Sequence, residues 1–332
     1  MAIADDLQNR WYEDRAPPWW TRSLDALYGG VTAARRRMYR HGWLRSERLK
    51  VPVIVVGNIV AGGAGKTPLT IALVQDLRER GFRPGVVSRG YGGTARAPML
   101  LDAQPDPAIA GDEPALIRMR TGVPVAIGAK RVAAARLLVT EGVDVVIADD
   151  GLQHYALARD IEICVIDGVR RFGNGRLLPA GPLREPESRL RDVDFIVCNG
   201  GELGDGEIAM QLALAEAVTL AEPARTSPLG AFSGARVHAV AGIGNPPRFF
   251  DALRALGIDV IAHPFPDHHR YVVDDLSFGD RLPVLMTEKD AVKCRAFAQA
   301  DWWAVPVTAE LPMSFFEAVA RRLEHPAGPQ PR

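Results

Sequence analysis

Lys66 and Thr67 follow Gly62, Gly63 and Gly65 in VGNIVAGGAGKTPLTIAL, where an apolar run ends in glycines and a helical pattern begins at once. Glycines let successive backbone N–H groups converge on one phosphate, and the helix behind them presents its positive end to the same anion. A lysine at this spacing reaches the β- and γ-phosphates of a nucleotide, and the neighbouring hydroxyl ligates magnesium. Val60, Ala61, Gly62, Gly63, Ala64, Gly65, Lys66 and Thr67 therefore form the expected nucleotide-binding loop. The strict motif has a glycine where Val60 stands, and Gly57, Gly62 and Gly63 supply the flexibility instead. A plain turn with an incidental lysine fits less well. Only Lys50, Lys66, Lys130, Lys289 and Lys293 among the 40 basic residues are lysines, so a lysine here is not a drifted arginine.

Such a loop needs an acid at the end of a neighbouring strand to hold magnesium, directly or through water. VDVVIADD (143 to 150) supplies Asp149 and Asp150, followed by Gly151, Leu152, Gln153 and His154. Either aspartate meets the requirement. Further polar clusters fall where predicted strands end, which is where open α/β sheets bind ligands. They are SRGYGG (88 to 93), GDEP (111 to 114), DGVRRFGNG (167 to 175) with LLPAGPLREP (177 to 186), FPDHHRY (265 to 271) and TEKDAVK (287 to 293). Gly-Asp-Glu-Pro also reads as a helix start, with Asp112 as its cap and Pro114 in the first turn.

The elements that must carry these clusters are legible as short β-branched runs alternating with helical stretches, the rhythm of a parallel sheet with crossover helices. Strands are expected at 51 to 58, 83 to 88, 123 to 128, 143 to 150, 161 to 168 and 193 to 199, and helices at 68 to 81 and 130 to 142. A second series follows, with strands at 236 to 244, 258 to 265, 282 to 290 and 302 to 307, a helix at 246 to 257 and a last helix near 313 to 324. Prolines and small polar residues around Glu222, Pro223 and Pro228 mark a boundary between the series. The expected fold is α/β: a P-loop NTPase-like parallel sheet core over 51–225, a second, smaller α/β domain over 226–332, and an N-terminal basic and aromatic helical segment over 1–50.

Composition narrows the classes. The chain has 332 residues, 47% hydrophobic and 24% charged, which is ordinary globular make-up. A formal net charge of +0 leaves no overall field to gather nucleic acid, so no nucleic-acid partner is expected. Cys164, Cys198 and Cys294 are odd in number and widely spaced, unlike a disulfide framework or zinc cluster. No stretch reaches the roughly 18 apolar residues of a spanning helix, and the start MAIADDLQNR lacks the form of a secretion signal. The tail HPAGPQPR reads as low in complexity and disordered.

VGNIVAGGAGKTP, SRGYGG, GDEP, DDGLQH, DGVRRFGNGRLLPAGPLREP, AGIGNPPRFF, FPDHHRY and TEKDAVK together resemble, in this order, the tetraacyldisaccharide 4'-kinases of Gram-negative bacteria. The resemblance runs from about Val51 to Lys293. It implies ATP-dependent phosphorylation of the 4'-hydroxyl of an acylated glucosamine disaccharide 1-phosphate, the step of lipid A synthesis that yields lipid IVA. By the same resemblance Asp112 is the catalytic base, a histidine of FPDHH (His268, or else His269) assists it from the second domain, and Arg131 falls near the transferred phosphate. ATP and Mg2+ are the implied cofactors. A partitioning ATPase would carry a lysine where Ala61 stands, and a GTPase would need an Asn-Lys-x-Asp run, which TEKD does not supply.

Between Pro17 and Arg45, Arg22, Arg35, Arg36, Arg37, Arg40 and Arg45 face only one acid, Asp25, and Trp19, Trp20, Tyr28, Tyr39 and Trp43 share the stretch. Arginines beside aromatic rings suit the boundary between lipid headgroups and acyl chains. The expected location is peripheral, on the cytoplasmic face of the bacterial inner membrane. Gly29 and Gly30 are expected to interrupt a continuous helix there.

Overall fold

The computed structural model describes residues 10–13, 16–222 and 224–325, so the MAIADDLQN start, Pro223 and most of the expected disordered tail lie outside the described residues. The predicted β-branched runs become strands β1 (Val53–Gly57), β2 (Pro84–Ser88), β3 (Met99–Leu100), β4 (Val125–Ile127), β5 (Val145–Asp149), β6 (Ile161–Asp167), β7 (Phe195–Asn199) and β8 (Glu207–Leu214). They assemble into a nine-stranded sheet in the order β15-β8-β7-β6-β1-β5-β2-β4-β3, with β15 (Val307–Glu310) arriving from the far end of the chain. From β8 to β4 every neighbouring pair is parallel, and β15 and β3 close the two edges antiparallel.

Both faces of this sheet are covered, which is why its strands read as continuous apolar runs. Alternation along β1 divides its side chains: Ile54 and Val56 enter one core, Val53 and Val55 the other. The first core packs the strands against helix α2 (Lys66–Glu79) through Leu69, Leu73 and Leu77, against α4 (Asp112–Thr121) through Ile117, and against the C-terminal helix α8 (Met313–Glu324) through Phe315 and Val319. The short helix α3 (Pro107–Ala110) precedes α4. The second core holds α5 (Arg131–Thr140) by Ala134, Ala135 and Leu138. Full burial of each leucine, isoleucine or valine side chain among these is worth roughly 1.5–3 kcal/mol. Strand order reverses on either side of β1, whose neighbours are β5 and β6. The crevice at that switch point is where such sheets bind ligands.

The smaller sheet has six strands in the order β10-β9-β14-β13-β11-β12. It comprises β9 (Ala217–Thr219), β10 (Thr226–Ser227), β11 (Arg236–Ala241), β12 (Asp259–Pro264), β13 (Val284–Thr287) and β14 (Trp302–Val305), with helices α6 (Pro246–Ala255) and α7 (Glu288–Cys294). Its layout departs from the expected 226–332 unit at both ends. Residues 217–219 already belong to it, whereas the apolar run WWAVPV splits at Pro306 so that 302–305 and 307–310 lie in different sheets. The pairing of Val307 with Leu214 and the burial of Phe315 and Val319 carry the chain's end back onto the larger sheet.

The N-terminal segment also differs from expectation. Helix α1 (Trp19–Arg40) runs unbroken for 22 residues through Gly29 and Gly30. A Cβ on Gly29 would lie 2.8 Å from Leu177 Cδ1, so the glycine lets the helix approach that loop, and tertiary contact overrides its low helix propensity. The ion pair of Arg36 with Asp192 and the buried Thr21 fasten the inner face. Cys164, Cys198 and Cys294 are buried free thiols.

Candidate active site

The nucleotide loop leaves β1 and enters α2 with Gly65 as N-cap, at φ 95°. A side chain there would adopt the left-handed region and would also bring a Cβ within 2.8 Å of Asn199 Nδ2, so only glycine fits. Asn199, at the end of β7, donates to Ala64 O at 3.1 Å, and Arg170 donates to Gly63 O at 2.8 Å. Ala61 N–H donates to Pro182 O at 2.7 Å, and Arg184 N–H to Ile59 O at 2.7 Å. The segment 167–186 thus forms the wall on which the loop rests. Because the Ala61 N–H is already engaged, the groups left to face a phosphate are those of residues 62–67.

Lys66 stands at the first position of α2, its ammonium 3.5 Å from Asp150 Oδ1. Thr67 is next to it at the helix N-terminus and lines the same cleft. Asp150 also pairs with Arg184 at 3.1 Å, and its carbonyl oxygen accepts from Arg131 Nη1 at 2.6 Å. Burial drives the Asp150 carboxyl up, but Lys66 and Arg184 outweigh it and hold the group at about 2. Asp149 is different. It pairs in register with Val56 at the end of β1, directly below the loop, and is 1% exposed. Thr70 donates to its Oδ1 at 3.2 Å, while Oδ2 has no hydrogen-bond partner among the described residues. Burial, with Glu113 and Asp150 nearby, pushes its carboxyl up to about 7. An unpartnered carboxylate oxygen at the strand end below the loop is an oxygen donor of the kind Mg2+ takes. His154 is held neutral, its imidazolium disfavoured by burial and by Arg131.

Across the cleft the smaller sheet contributes the loop after β12. His268 Nδ1–H donates to Asp112 Oδ2 at 3.0 Å, whereas His269 Nε2 turns the other way to Asp275 at 3.0 Å. His268 adopts φ 62°, a conformation that side chains take at a cost of order 1–3 kcal/mol and that clusters at functional sites. The helix start at GDEP is present, but its cap is Gly111; Asp112 is the first helical residue, and its carboxylate faces His268 rather than the helix end. Asp112 is 7% exposed. Burial alone would raise its carboxyl; the hydrogen bond from His268 and the charge of Lys293 more than offset this and hold it below the ordinary value.

The cleft between the two sheets is thus lined by Lys66, Thr67, Arg131 and Asp150 on one side and His268 and Lys289 on the other, with Asp112 and Asp149 immediately behind. Every residue expected at the site from the sequence borders this region except Val60 and Ala61, whose backbone is spent on the 176–184 segment. Asn199, Arg184 and Lys293 were given no role from the sequence alone. The scarcity of lysine and the TEKDAVK cluster were the signals pointing at Lys293.

The family model described as tetraacyldisaccharide-1-P 4'-kinase matches residues 18–324. The chain is 56% identical over 324 residues to the tetraacyldisaccharide 4'-kinase of Stenotrophomonas maltophilia, covering 95% of each, and 54% identical to that of Xanthomonas euvesicatoria, covering 96% of each. The crystal structure of LpxK from Aquifex aeolicus in complex with ATP is similar at a TM-score of 0.77 and 28% identity, over 90% of this chain and 97% of that one.

Proposed function

Because the chain belongs to the tetraacyldisaccharide 4'-kinase family, and so phosphorylates the 4'-hydroxyl of tetraacyldisaccharide 1-phosphate to give lipid IVA in lipid A biosynthesis, we propose how its own residues divide that reaction. The observation that carries the reading is that His268, hydrogen-bonded to Asp112, and Lys66 converge on one cleft from different sheets. A sugar hydroxyl is a poor nucleophile at neutral pH. Asp112 accepts its proton while the hydroxyl oxygen bonds to the γ-phosphorus of ATP and the bond to the β–γ bridging oxygen breaks, leaving ADP. His268 orients the carboxylate. Lys66 and Arg131 would neutralise charge on the phosphoryl group in transit.

Thr67 and Asp149 would hold Mg2+, which would supply positive charge to offset that of the nucleotide phosphates. Asp149 fits better than Asp150 because its Oδ2 has no partner among the described residues, while Asp150 is committed to Lys66 and Arg184.

The acceptor carries four acyl chains and stays in the bilayer, so the enzyme must meet it there. We propose peripheral contact with the cytoplasmic face of the inner membrane through α1. Trp20, Leu24, Leu27 and Val31 form an exposed stripe at helical spacing, flanked by exposed arginines, and no helix among the described residues is long and apolar enough to cross a membrane.

Supplying labelled ATP or labelled GTP, with and without the lipid disaccharide 1-phosphate, tests the assignment. Label should pass from ATP to the 4'-position of the lipid and require Mg2+. Nucleotide hydrolysis indifferent to the lipid, or equal transfer from GTP, would overturn it.

A further inference from the structure

Lys293 lies on α7, in the smaller unit, yet its ammonium stands 3.6 Å from Asp112 Oδ2, the same oxygen that takes the His268 hydrogen bond. Its side chain is 7% exposed. On the other side it meets Asp290 Oδ1 at 2.8 Å and lies over the Tyr271 ring at 4.9 Å. These are charge contacts without the direction of a hydrogen bond, so among the described residues the buried ammonium is held by its ion pairs rather than by a hydrogen bond. Asp290 is itself rigidly held. It is fully buried, and its Oδ2 accepts from Gly242 N at 2.8 Å and from Thr287 Oγ1 at 2.5 Å.

Oδ2 of Asp112 is therefore flanked by two groups from across the cleft, while Oδ1 accepts no hydrogen bond from the described residues. Two oxygens of one carboxylate are made unequal. Lys289, which pairs with Glu113 at 3.4 Å and with Asp267 at 3.3 Å, adds a smaller pull on Asp112 than Lys293 does. Lys293 is the buried cation that faces Asp112, and the mechanism given above does not use it.

We propose that Lys293 is a positioning residue for phosphoryl transfer: braced by Asp290, it holds Oδ2 of Asp112 in its ionised form so that Oδ1 is presented to the acceptor hydroxyl. The proposal rests on the reading of Asp112 as proton acceptor. It gives the smaller unit a second hold on the base, so that both the orienting histidine and the charge that keeps the base ionised arrive together when the cleft is assembled.

The test is the pH dependence of kcat for the full-length enzyme with ATP and the lipid disaccharide 1-phosphate. Losing a cation at this distance moves a carboxylate by about one unit or more. Lys293→Met should shift the acid limb of kcat to higher pH by at least that much, lower kcat on the plateau above the limb only as far as the carboxylate loses its orientation, and leave the KM for ATP within about twofold. Lys293→Arg should restore most of the limb. Because Lys293→Met also strips Asp290 of its cation, Lys293→Met/Asp290→Asn is measured beside it and should show the same shifted limb. An unshifted acid limb in either neutralised protein, or a loss expressed only as a higher KM for ATP, overturns the proposal. Asp112→Asn separates the two layers: an active Asp112→Asn enzyme overturns the reading of Asp112 itself, whereas an inactive one with a wild-type limb in Lys293→Met overturns only the role of Lys293.

Discussion

His268 Nδ1 lies 3.0 Å from Asp112 Oδ2 although 156 positions separate them, Asp112 opening α4 on the larger sheet and His268 lying in the loop after β12 of the smaller one. The pair exists only while the loop after β12 stays packed against the start of α4. Tyr91, from the SRGYGG turn, supports it with its ring edge-on to the imidazole at a centroid distance of 5.2 Å. On the proposed roles of Asp112 and His268, competence for proton transfer would be tied to the closeness of the two units.

Replacing the proton acceptor should cost more than replacing its support. Asp112→Ala should lower kcat about 10²- to 10⁴-fold, the range of a positioned general base, and His268→Ala less. If the two act as one unit, the double variant will be little worse than Asp112→Ala. Losses that add on a logarithmic scale would show that they act independently.

Lys66→Ala should abolish phosphoryl transfer while the thermal transition stays near that of the parent, because the lysine contacts Asp150 at the cleft rather than the core. Asp149→Asn and Thr67→Ala should instead raise the Mg2+ concentration needed for half-maximal rate. An unchanged Mg2+ requirement in both would remove them from the metal site.

Glu162 and Arg189 form a pair beneath the loop, each 3% exposed and with Arg189 Nη2 at 2.6 Å from both carboxylate oxygens, while Arg159 adds a contact at 2.9 Å. Removing one partner leaves a buried charge short of compensation, so Arg189→Leu should destabilise the fold by about 3–5 kcal/mol in denaturant titrations. Burial raises the Glu162 carboxyl, but Arg159 and Arg189 outweigh it and hold it below the ordinary value. A carboxylate depressed on folding contributes stability above its unfolded pKa and loses it as pH falls through the folded one. The difference between parent and variant should therefore be greatest near neutral pH and shrink in acid. A difference that grew in acid would contradict this origin.

Leu27→Glu and Val31→Glu change side chains that are 64% and 58% exposed, so the fold should tolerate them. Each should weaken co-sedimentation with anionic vesicles, and salt should weaken the parent's binding further, since the arginines contribute about 1 kcal/mol each near such a surface. Undiminished vesicle binding by the double variant would put the attachment surface elsewhere.

How much of this was legible in the sequence depends on how local each feature is. The nucleotide loop was legible from Gly62 to Thr67, because strand, glycines, lysine and helix lie within one short stretch; that Val60 and Ala61 are spent on the distant 176–184 segment was not. Asp149 and Asp150 at a strand end were legible for the same local reason. Between the neighbours His268 and His269 the resemblance favoured His268, but the residues themselves left both open, because only packing sets the positive φ that turns one to Asp112 and leaves the other to Asp275. Nor could WWAVPV reveal its change of sheet at Pro306, since apolar runs look alike whichever partner strand receives them. The glycine pair in α1 reads as a break until Leu177 is seen to require the space. Lys293, too, is one lysine of the TEKDAVK cluster, with no partner in view until α7 is docked on α4. The sequence alone determined the phosphate chemistry and the layered α/β plan, because both follow from the local order of residue types; the tertiary structure decided which acid, which histidine and which lysine meet, because those contacts form between chain segments far apart.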